Sequence, residues 1–446
     1  MVNITLLNMN FKKSKWSFIL LAAGTLLLTN FTKAQTITKL WDFSTLEVSN
    51  APIEAPNPIQ PLLQGNDGNF YGTLAREAFK VTTNGDFTLL YGQFGTEPTI
   101  TWGNEDNFYG GDHNVLYSLT PTGTYTGFNS DIDNMTYFYG SLVLGNDGYF
   151  YGTAREGGDR LDGAVFRMTT NGAVTVLASF SDTSDPNLGF NPNGELAQGN
   201  DGNFYGTTEY GGNYNQGTLF TVATNGAFLS LVSLNTTNGA QPQAGMRLGP
   251  DGNFYGTTSL GGDYGYGTIF RYSPTLLLNG LTTLISFTGT NGDYPGANPQ
   301  SQLVLGNDGD LYGVTFAGGV SNNGTVFKIT PGGAFRSLGS FNDSTGINPN
   351  GLTLARDGNF YGTTESGGTS SKGIFFKFAL PPQPGLAVSI YSNQPAIFFP
   401  ASNSVPFVLQ MSTNLASGNW TDVTNGIPIA GVIVTNPPPN AFFRLN

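Results

Sequence analysis

The sequence predicts an all-β protein: a seven-bladed β-propeller of four-stranded blades, closed by an N-terminal strand, followed by a small C-terminal β-sandwich domain. Three observations lead to this prediction. A string close to DGNFYGTT returns seven times, short β-prone segments surround each copy, and the last copy lacks one of these segments. Radially repeated units of four antiparallel strands are typical of propellers.

A Tyr-Gly pair marks each copy of the repeat. Neighbouring pairs are 38 to 57 residues apart, a spacing typical of solenoids, propellers or arrays of small domains. The seven tyrosines are Tyr71, Tyr109, Tyr151, Tyr205, Tyr255, Tyr312 and Tyr361.

The fourth unit illustrates the four predicted strands of a blade. Its segments NGELAQG, NFYGTT, GTLFTVA and AFLSLVSL are separated by the turns NDG and TNG and by the loop EYGGNYNQ. Asn-Gly and Asp-Gly favour the positive φ angles of tight hairpins. Phe204 and Tyr205 point to opposite faces of their strand, so we expect both faces to be buried between neighbouring blades. Gly206 leaves room for a neighbouring ring, and the hydroxyl of Tyr205 needs a hydrogen-bond partner.

The seventh unit lacks a fourth strand, because its third segment runs into the Pro-rich stretch 380–384, which cannot continue a central strand. The segment TITKLWDF, residues 36–43, has the fourth-strand pattern and follows no earlier unit. We therefore expect it to pair with residues 373–379 and to close a ring spanning residues 35–380. An open solenoid would instead need polar capping repeats at both ends.

The two ends of the chain differ in character from the repeats. Residues 1–34 are typical of a signal peptide: lysines precede an apolar run over residues 16–28, and cleavage is expected after Ala34. An uncleaved N-terminal anchor is the alternative. Residues 381–384 are a predicted linker, and residues 385–446 are predicted to form the small β-sandwich. This domain is either a surface-attachment or sorting module or a plain accessory domain.

The units DGNFYGTTEYGGNYNQGTLF and DGNFYGTTESGGTSSKGIFF resemble the GloVer tandem repeat of Gloeobacter and Verrucomicrobia-like bacteria. The resemblance extends over all seven units and rests on DGNFYGTT, the following GG, and a GT-x-F segment. The first two units depart from it, because neither has the GG loop. The resemblance implies a bacterial exported protein, secreted or at the cell surface. It implies no established reaction.

Composition and charge exclude several functions. The net charge of −12 becomes −16 once residues 1–34 are removed, which argues against nucleic acid and anionic membranes as partners. The chain has no cysteine, so disulfides and thiolate metal sites are excluded. His113 is the only histidine; it is expected to be an exposed loop residue. We expect a monomer with no transmembrane segment, no metal, no cofactor and no identifiable catalytic residue.

Antiparallel strand order places the two kinds of connection on opposite faces. The turns NDG and TNG are short and uniform, whereas the loops between strands two and three and between blades are longer and varied. Recognition usually resides in variable loops on a rigid scaffold, so a ligand is expected on this loop face, at the mouth of the channel. Exposed tyrosines beside Asn and Asp suit sugar rings, although they could simply pack the loops. The predicted ligand-binding residues are Tyr210, Tyr214, Tyr264, Tyr266, Tyr294, Phe316, Glu209, Asp263, Asp293 and Glu365.

Other polar residues of the repeat allow further hypotheses. An aspartate recurs in the NDG turns, where it suggests either a calcium ligand or a turn residue whose carboxylate accepts backbone N–H bonds. One carboxylate per loop favours the turn. Arg76 and Arg155 follow the marker at similar places and could bind an anion. The recurring aspartates are Asp67, Asp147, Asp201, Asp251, Asp308 and Asp357.

The leading functional hypothesis is a non-enzymatic exported propeller that serves as a binding or adhesion scaffold for an extracellular glycan or surface protein. The first alternative is a carbohydrate-active enzyme, a glycoside hydrolase or lyase. It would need channel-mouth carboxylates that converge to within about 5–10 Å. The second alternative is a structural component of the cell envelope.

Overall fold

The structure, a computed structural model, describes residues 36–43, 58, 60–103, 107–128, 134–159, 161–180 and 188–380, together with six strands of the C-terminal tail. The predicted signal peptide and the linker at 381–384 lie outside these residues. None of the described residues belongs to a helix with the length and apolar character needed to cross a membrane.

Seven antiparallel sheets follow one another along the chain, and strand β1 (Thr36–Asp42) belongs to the last of them. Blade 1 contains β2 (Leu63–Gln64), β3 (Phe70–Thr73), β4 (Ala78–Val81) and β5 (Phe87–Tyr91). Blade 2 contains β6 (Thr101–Trp102), β7 (Phe108–Gly111), β8 (Leu116–Leu119) and β9 (Tyr125–Phe128). Blade 3 contains β10 (Val143–Leu144), β11 (Phe150–Ala154), β12 (Ala164–Met168) and β13 (Val174–Ser179).

The remaining blades repeat this order with small additions. Blade 4 contains β14 (Ala197–Gln198), β15 (Phe204–Thr208), β16 (Thr218–Val222) and β17 (Phe228–Ser233), and blade 5 contains β18 (Arg247–Leu248), β19 (Phe254–Thr258), β20 (Thr268–Tyr272) and β21 (Leu281–Ser286). Blade 6 contains β22 (Val304–Leu305), β23 (Leu311–Thr315), β24 (Thr325–Ile329) and β25 (Phe335–Ser340). Blade 7 contains β26 (Ile347–Pro349), β27 (Thr353–Leu354), β28 (Phe360–Ser366) and β29 (Ile374–Ala379). In blade 5 a 3₁₀ segment, Pro274–Asn279, replaces the TNG turn. The predicted seven-bladed propeller of four-stranded blades is confirmed.

The short first strands lie at the centre of the ring. Across neighbouring blades, the indole Nε1 of Trp102 donates to the carbonyl of Gln64 at 3.1 Å, and the amide of Gln302 donates to the carbonyl of Met246 at 2.9 Å. First strands also contact each other directly between blades 4 and 5. Because the first-strand edges of successive sheets contact one another, these edges converge and the first strands surround the axis of the ring.

The second strand of each blade is buried on both faces. Phe204 and Tyr205 are at most 4% exposed, because neighbouring blades cover both sides of the sheet. Gly206 faces Phe220 on the third strand, and a Cβ there would lie 2.4 Å from the ring. The predicted close approach of a ring to this glycine is therefore confirmed, and the ring comes from the same blade.

Six of the marker tyrosines, all except Tyr109, contact both the turn of their own blade and a residue of the next blade. In blade 4 the hydroxyl of Tyr205 donates to Oδ2 of Asp201 at 2.8 Å, and its ring packs on Phe254 of blade 5 with centroids 4.2 Å apart. Six of the seven ring contacts pair Tyr with Phe. In the seventh, Tyr255 of blade 5 packs with Leu311, because blade 6 has leucine where the other blades have phenylalanine. The six aromatic pairs are Tyr71–Phe108, Tyr109–Phe150, Tyr151–Phe204, Tyr205–Phe254, Tyr312–Phe360 and Tyr361–Phe70.

The last of these pairs closes the ring, and strand β1 completes the same blade. β1 runs antiparallel to β29 with Thr36 opposite Ala379 and Asp42 opposite Ile374, which confirms the predicted pairing. The carboxylate of Asp42 accepts the backbone N–H of Thr369 in the loop between strands two and three of this blade at 2.9 Å. In blades 3 to 6 a serine hydroxyl of the fourth strand accepts the equivalent N–H, as Ser233 does from Asn213 at 3.1 Å. The N-terminal strand is thus a full fourth strand of blade 7.

A belt of backbone hydrogen bonds joins the blades on the loop face. Gln241 has a φ of 52°; its N–H donates to Gln216 of blade 4 at 2.8 Å, and its carbonyl accepts from Ser259 of blade 5 at 3.2 Å. The next residue, Pro242, packs over Gly217, where a Cβ would lie 2.9 Å from the proline ring. Residues with the same backbone conformation, whose N–H makes the equivalent bond to the preceding blade, are Glu97, Tyr137, Asn191, Asn298 and Asn348. Proline follows all but Tyr137.

The described strands of the tail form two three-stranded antiparallel sheets. One has the order β30-β31-β34 and the other β33-β32-β35. Their bounds are β30 (Ala387–Tyr391), β31 (Gln394–Phe398), β32 (Leu409–Ser412), β33 (Thr421–Asp422), β34 (Gly431–Ile433) and β35 (Phe442–Leu445). The strands agree with the predicted β-domain, and the packing of the two sheets into a sandwich stays a prediction.

Replacing Tyr205 with Phe tests the contribution of the Tyr–Asp hydrogen bond. The variant keeps the ring contact but leaves a carboxylate without one donor, so we expect the free energy of unfolding to fall by about 2 kcal/mol. Tyr214→Phe is the matched control, since the side chain of Tyr214 is exposed and its hydroxyl is free to bond water. Equal stabilities of the two variants in urea titrations would contradict a structural role for the bond.

Candidate binding face and channel

The loops between strands two and three have one shared backbone in blades 3 to 7. Each runs Gly-Gly-x-x-x-x-Gly, and all three glycines have positive φ; in blade 4 these are Gly211, Gly212 and Gly217. Beyond the glycine pair, the N–H of Asn213 donates to Oγ of Ser233 at 3.1 Å. Asp263 makes the same bond to Ser286 at 3.2 Å. The loop tips are therefore fastened to the outer strands.

Three of the predicted ligand-binding tyrosines lie on these tips and are exposed. Tyr214 in blade 4 is 60% exposed, and Tyr264 and Tyr266 in blade 5 are 61% and 47% exposed. Asp263, also predicted, is exposed beside them. The bonds to Ser233 and Ser286 fasten these loops to the outer strands, so the exposed tyrosines lie over the outer part of the loop face and not at the channel mouth, where the sequence predicted a ligand.

Glu209 and Tyr210 belong to a second group, between blades 3 and 4. Glu209 is 6% exposed; its carboxylate pairs with the guanidinium of Arg155 at 3.1 Å and accepts from the amide of Asn193 at 2.6 Å. The ring of Tyr210 stacks on Phe190 with centroids 5.6 Å apart. Burial raises the pKa of Tyr210, and its hydrogen bond to Glu209 adds to the increase. Arg155, suggested as an anion ligand, is thus held by a protein carboxylate.

A tyrosine of blade 3 extends this group. The guanidinium of Arg155 lies 5.8 Å from the ring centre of Tyr139. Burial raises the pKa of Tyr139 to about 12, with the charge of Glu97 as the next cause. Ion pairs and rings therefore join blades 2, 3 and 4 in one polar network on the loop face. Because Glu209 is committed to Arg155, it is poorly placed to act as a free general acid or base.

The other predicted residues lie apart from both groups. Tyr294 is partly buried and packs edge-on against Phe335 at 5.5 Å, as expected if it only packs a loop. Asp293 is exposed, and Phe316 and Glu365 are partly buried in blades 6 and 7. The carbonyl of Phe316 accepts the side-chain amide of Asn348. The described contacts do not connect these residues to the exposed tyrosines.

Glu195, which is absent from the predicted site, is a carboxyl group with a strongly raised pKa. It precedes the first strand of blade 4 and is partly exposed. Burial raises its pKa from 4.5 to about 7, while the charge of Arg247 in blade 5 lowers it. The main chain of Gly245 in blade 5 packs directly against that of Glu195, and packing by a neighbouring blade can desolvate a carboxyl group even where part of the side chain reaches water. The sequence does contain one sign of this residue, because the other six blades have a residue that cannot ionise at the position equivalent to Glu195.

The recurring aspartates are turn residues. In each of the six turns Oδ1 accepts the backbone N–H two residues later at 3.0 to 3.2 Å, and Oδ2 accepts the marker tyrosine at 2.6 to 3.0 Å. In Asp357 burial acts to raise the pKa, but hydrogen bonds from Asn359 and Lys377 outweigh it and bring the pKa to about 2. The described residues contain no group of three or more potential metal ligands.

His113 is partly buried in blade 2. Its ring lies edge-on to Tyr137 with centroids 3.9 Å apart, and its carbonyl accepts the N–H of Tyr137 at 2.7 Å. The histidine therefore takes part in the interblade belt, which corrects the expectation of an exposed loop residue.

The raised pKa of Glu195 makes stability depend on pH. The native state holds this proton more tightly than the unfolded chain, so ionisation destabilises the fold as pH rises from about 4.5 through 7. Glu195→Gln removes this penalty, and we expect it to be more stable than the parent protein by about 2–3 kcal/mol at pH 8. The two proteins should converge near pH 4.5. Parallel stability curves in calorimetry from pH 4.5 to 8 would contradict the shift.

Solved structures show the same fold at low sequence identity. A virginiamycin B lyase from Staphylococcus aureus matches with a TM-score of 0.55 and 14% identity, over 77% of this chain and 99% of the lyase. The extracellular domain of the putative one component system BT4673 from B. thetaiotaomicron matches with a TM-score of 0.52 and 11% identity, over 83% of this chain and 45% of that one. At these identities the likeness concerns the fold alone.

Sequence comparison identifies the repeat. No functionally curated protein matches the chain significantly. The family model of the Gloeobacter/Verrucomicrobia repeat matches residues 99–297 and 279–388, which include the second to seventh marker tyrosines. This match confirms the resemblance carried by DGNFYGTT and the GG loop, and the chain belongs to the Gloeobacter/Verrucomicrobia repeat family.

Proposed function

We propose that this chain is an exported binding scaffold that takes an extracellular glycan on the loop tips of blades 4 and 5. The observation that carries the proposal is the exposure of Tyr214, Tyr264 and Tyr266 on a backbone that glycines and serine hydrogen bonds hold in place. Aromatic faces presented on a rigid surface can stack on sugar rings without a large ordering cost. Export is supported by the signal-peptide pattern of residues 1–34.

The polar residues around the tyrosines suit hydroxyl groups. Asn213 and Asp263 occupy equivalent tip positions in the two loops, and both side chains are exposed. Their backbone N–H groups are bonded to Ser233 and Ser286, which fixes the loops, and their exposed side chains face solvent, where a ligand can reach them. This arrangement combines stacking surfaces with hydrogen-bonding groups, as sugar-binding sites require.

A surface protein is the second candidate ligand. Apolar side chains flank the tyrosines on the same face: Leu161 in blade 3 is 59% exposed, and Val320 in blade 6 is 87% exposed. Exposed apolar side chains beside aromatic ones are frequent at protein interfaces. Substituting Leu161 and Val320 with Ser discriminates the two ligands, because it should weaken a protein complex and leave glycan binding nearly unchanged.

A glycan array with the mature chain tests the first proposal. The triple variant Tyr214→Ala, Tyr264→Ala and Tyr266→Ala should lose at least tenfold in affinity for any glycan bound, since stacking of a sugar on each aromatic ring is expected to contribute about 1 kcal/mol. The matched control replaces Leu276, Leu277 and Leu278 with Ala, because these side chains are equally exposed on the 3₁₀ segment of the turn face. An array without binding, or binding that survives the triple variant, would contradict the glycan proposal.

A further inference from the structure

One acid and one base lie on the innermost segments of neighbouring blades. Each blade has one residue directly before the buried apolar residue that leads into its first strand: Pro61, Thr99, Ser141, Glu195, Gly245, Gln302 and Gly351. Two residues further along the chain the blades have Leu63, Thr101, Val143, Ala197, Arg247, Val304 and Thr353. Glu195 and Arg247 are the ionisable members of these two sets. They depart from the repeat at positions that its symmetry makes equivalent.

The backbone beside Glu195 is tightly fixed. A Cβ on Gly245 would lie 1.9 Å from the carbonyl oxygen of Glu195, and a Cβ on Gly194 would lie 2.4 Å from the nitrogen of Gly245. The innermost segments of blades 4 and 5 therefore touch through their main chains. The side chain of Glu195 remains partly exposed and that of Arg247 is exposed, so both reach solvent at the innermost edges of their blades.

The charged surroundings of this pair are simple. Blade 5 contributes Arg247, whose charge acts on Glu195, and the described ion pairs include neither residue. Blade 3 contributes Ser141 and the apolar strand β10 on its innermost segment. At the ends of the second strands of blades 3 and 4, Arg155 and Glu209 neutralise each other at 3.1 Å. The guanidinium of Arg247 thus lacks a fully ionised carboxylate partner near neutral pH.

We propose that Arg247 and Glu195 form a second ligand site, inside the channel, for a small hydroxylated carboxylate such as a sugar acid. The planar guanidinium of Arg247 matches the geometry of a carboxylate. Protonated Glu195 donates a hydrogen bond to the bound carboxylate, and ionised Glu195 repels it. Ser141, at the equivalent position in blade 3, offers a hydroxyl to the ligand's hydroxyl groups, whereas the amide nitrogen of Gln302 in blade 6 is already bonded to the carbonyl of Met246 at 2.9 Å. This site is separate from the loop-tip tyrosines and goes beyond the proposed scaffold function.

Binding at this site is coupled to proton uptake. Burial already holds the pKa of Glu195 near 7, and a bound carboxylate raises it further because the ionised form repels the ligand. Affinity should therefore fall with rising pH above neutrality, by up to about tenfold per pH unit. Ligand binding at pH 8 should take up close to one proton per site.

Titration calorimetry with D-glucuronate tests the proposal, with D-glucose as the uncharged control. For the mature chain we expect glucuronate to bind at least fivefold more tightly at pH 6 than at pH 8, and glucose not to bind. At pH 8, titrations in two buffers of different ionisation enthalpy should reveal the proton uptake. Glu195→Gln should abolish the pH dependence and the proton uptake while it retains binding at pH 8.

The variants separate this site from the scaffold function. Arg247→Gln should lose at least tenfold in glucuronate affinity at both pH values, whereas the triple tyrosine variant should bind glucuronate like the parent protein. Circular dichroism and thermal melts establish that each variant is folded. The proposal is overturned by an absence of glucuronate binding at pH 6, by binding that ignores Arg247→Gln, or by binding whose pH dependence persists in Glu195→Gln. None of these results bears on glycan binding at the loop tips.

Discussion

Six marker tyrosines, all except Tyr109, are shown to tie a turn of their own blade to the core of the next blade, and the closed ring depends on this double contact. The hydroxyl needs a partner because the ring is buried, and the aspartate of the preceding turn supplies it, as in Tyr205 and Asp201. The ring then covers the phenylalanine of the following blade, or Leu311 where the following blade is blade 6. A blade is apolar on both faces, so one missing neighbour would expose a whole layer of rings. The contact between Tyr361 and Phe70, and the pairing of β1 with β29, remove that exposure.

A scaffold built from near-identical units makes its exceptions informative. Turns, glycines and marker tyrosines repeat because every blade has the same packing problem. Glu195 and Arg247 solve no packing problem, since the other blades use small or uncharged residues at those positions. Desolvation of Glu195 disfavours its ionised form, so the fold carries this acid at a cost in stability. The exposed tyrosines on the tips of blades 4 and 5 are a second kind of exception, because the equivalent loops keep the same backbone without them.

The sequence was sufficient for the fold, and less so for the site. Blade number, strand order and closure follow from repeats, turn residues and the unpaired segment at 36–43, all of which are local patterns. The interblade belt was missed because its left-handed residues, such as Gln241 and Asn298, are not glycines and only their following prolines mark them. Predicted site residues separated into distinct groups because loop tips such as Tyr214 are fastened outward by serines distant in sequence. The sequence does not single out Glu195, because packing against the neighbouring blade 5 leaves no local pattern.

Ring closure by the N-terminal strand is the claim from which the remaining conclusions follow, and a cysteine pair at positions 36 and 379 tests it most directly. The protein has no cysteine of its own, so a disulfide in the variant Thr36→Cys/Ala379→Cys can join only these two paired positions. The account predicts an intramolecular disulfide in the folded monomer and a melting temperature about 5 °C higher than that of the reduced form. Free thiols in the folded, oxidised protein, or disulfides formed only between molecules, would contradict it.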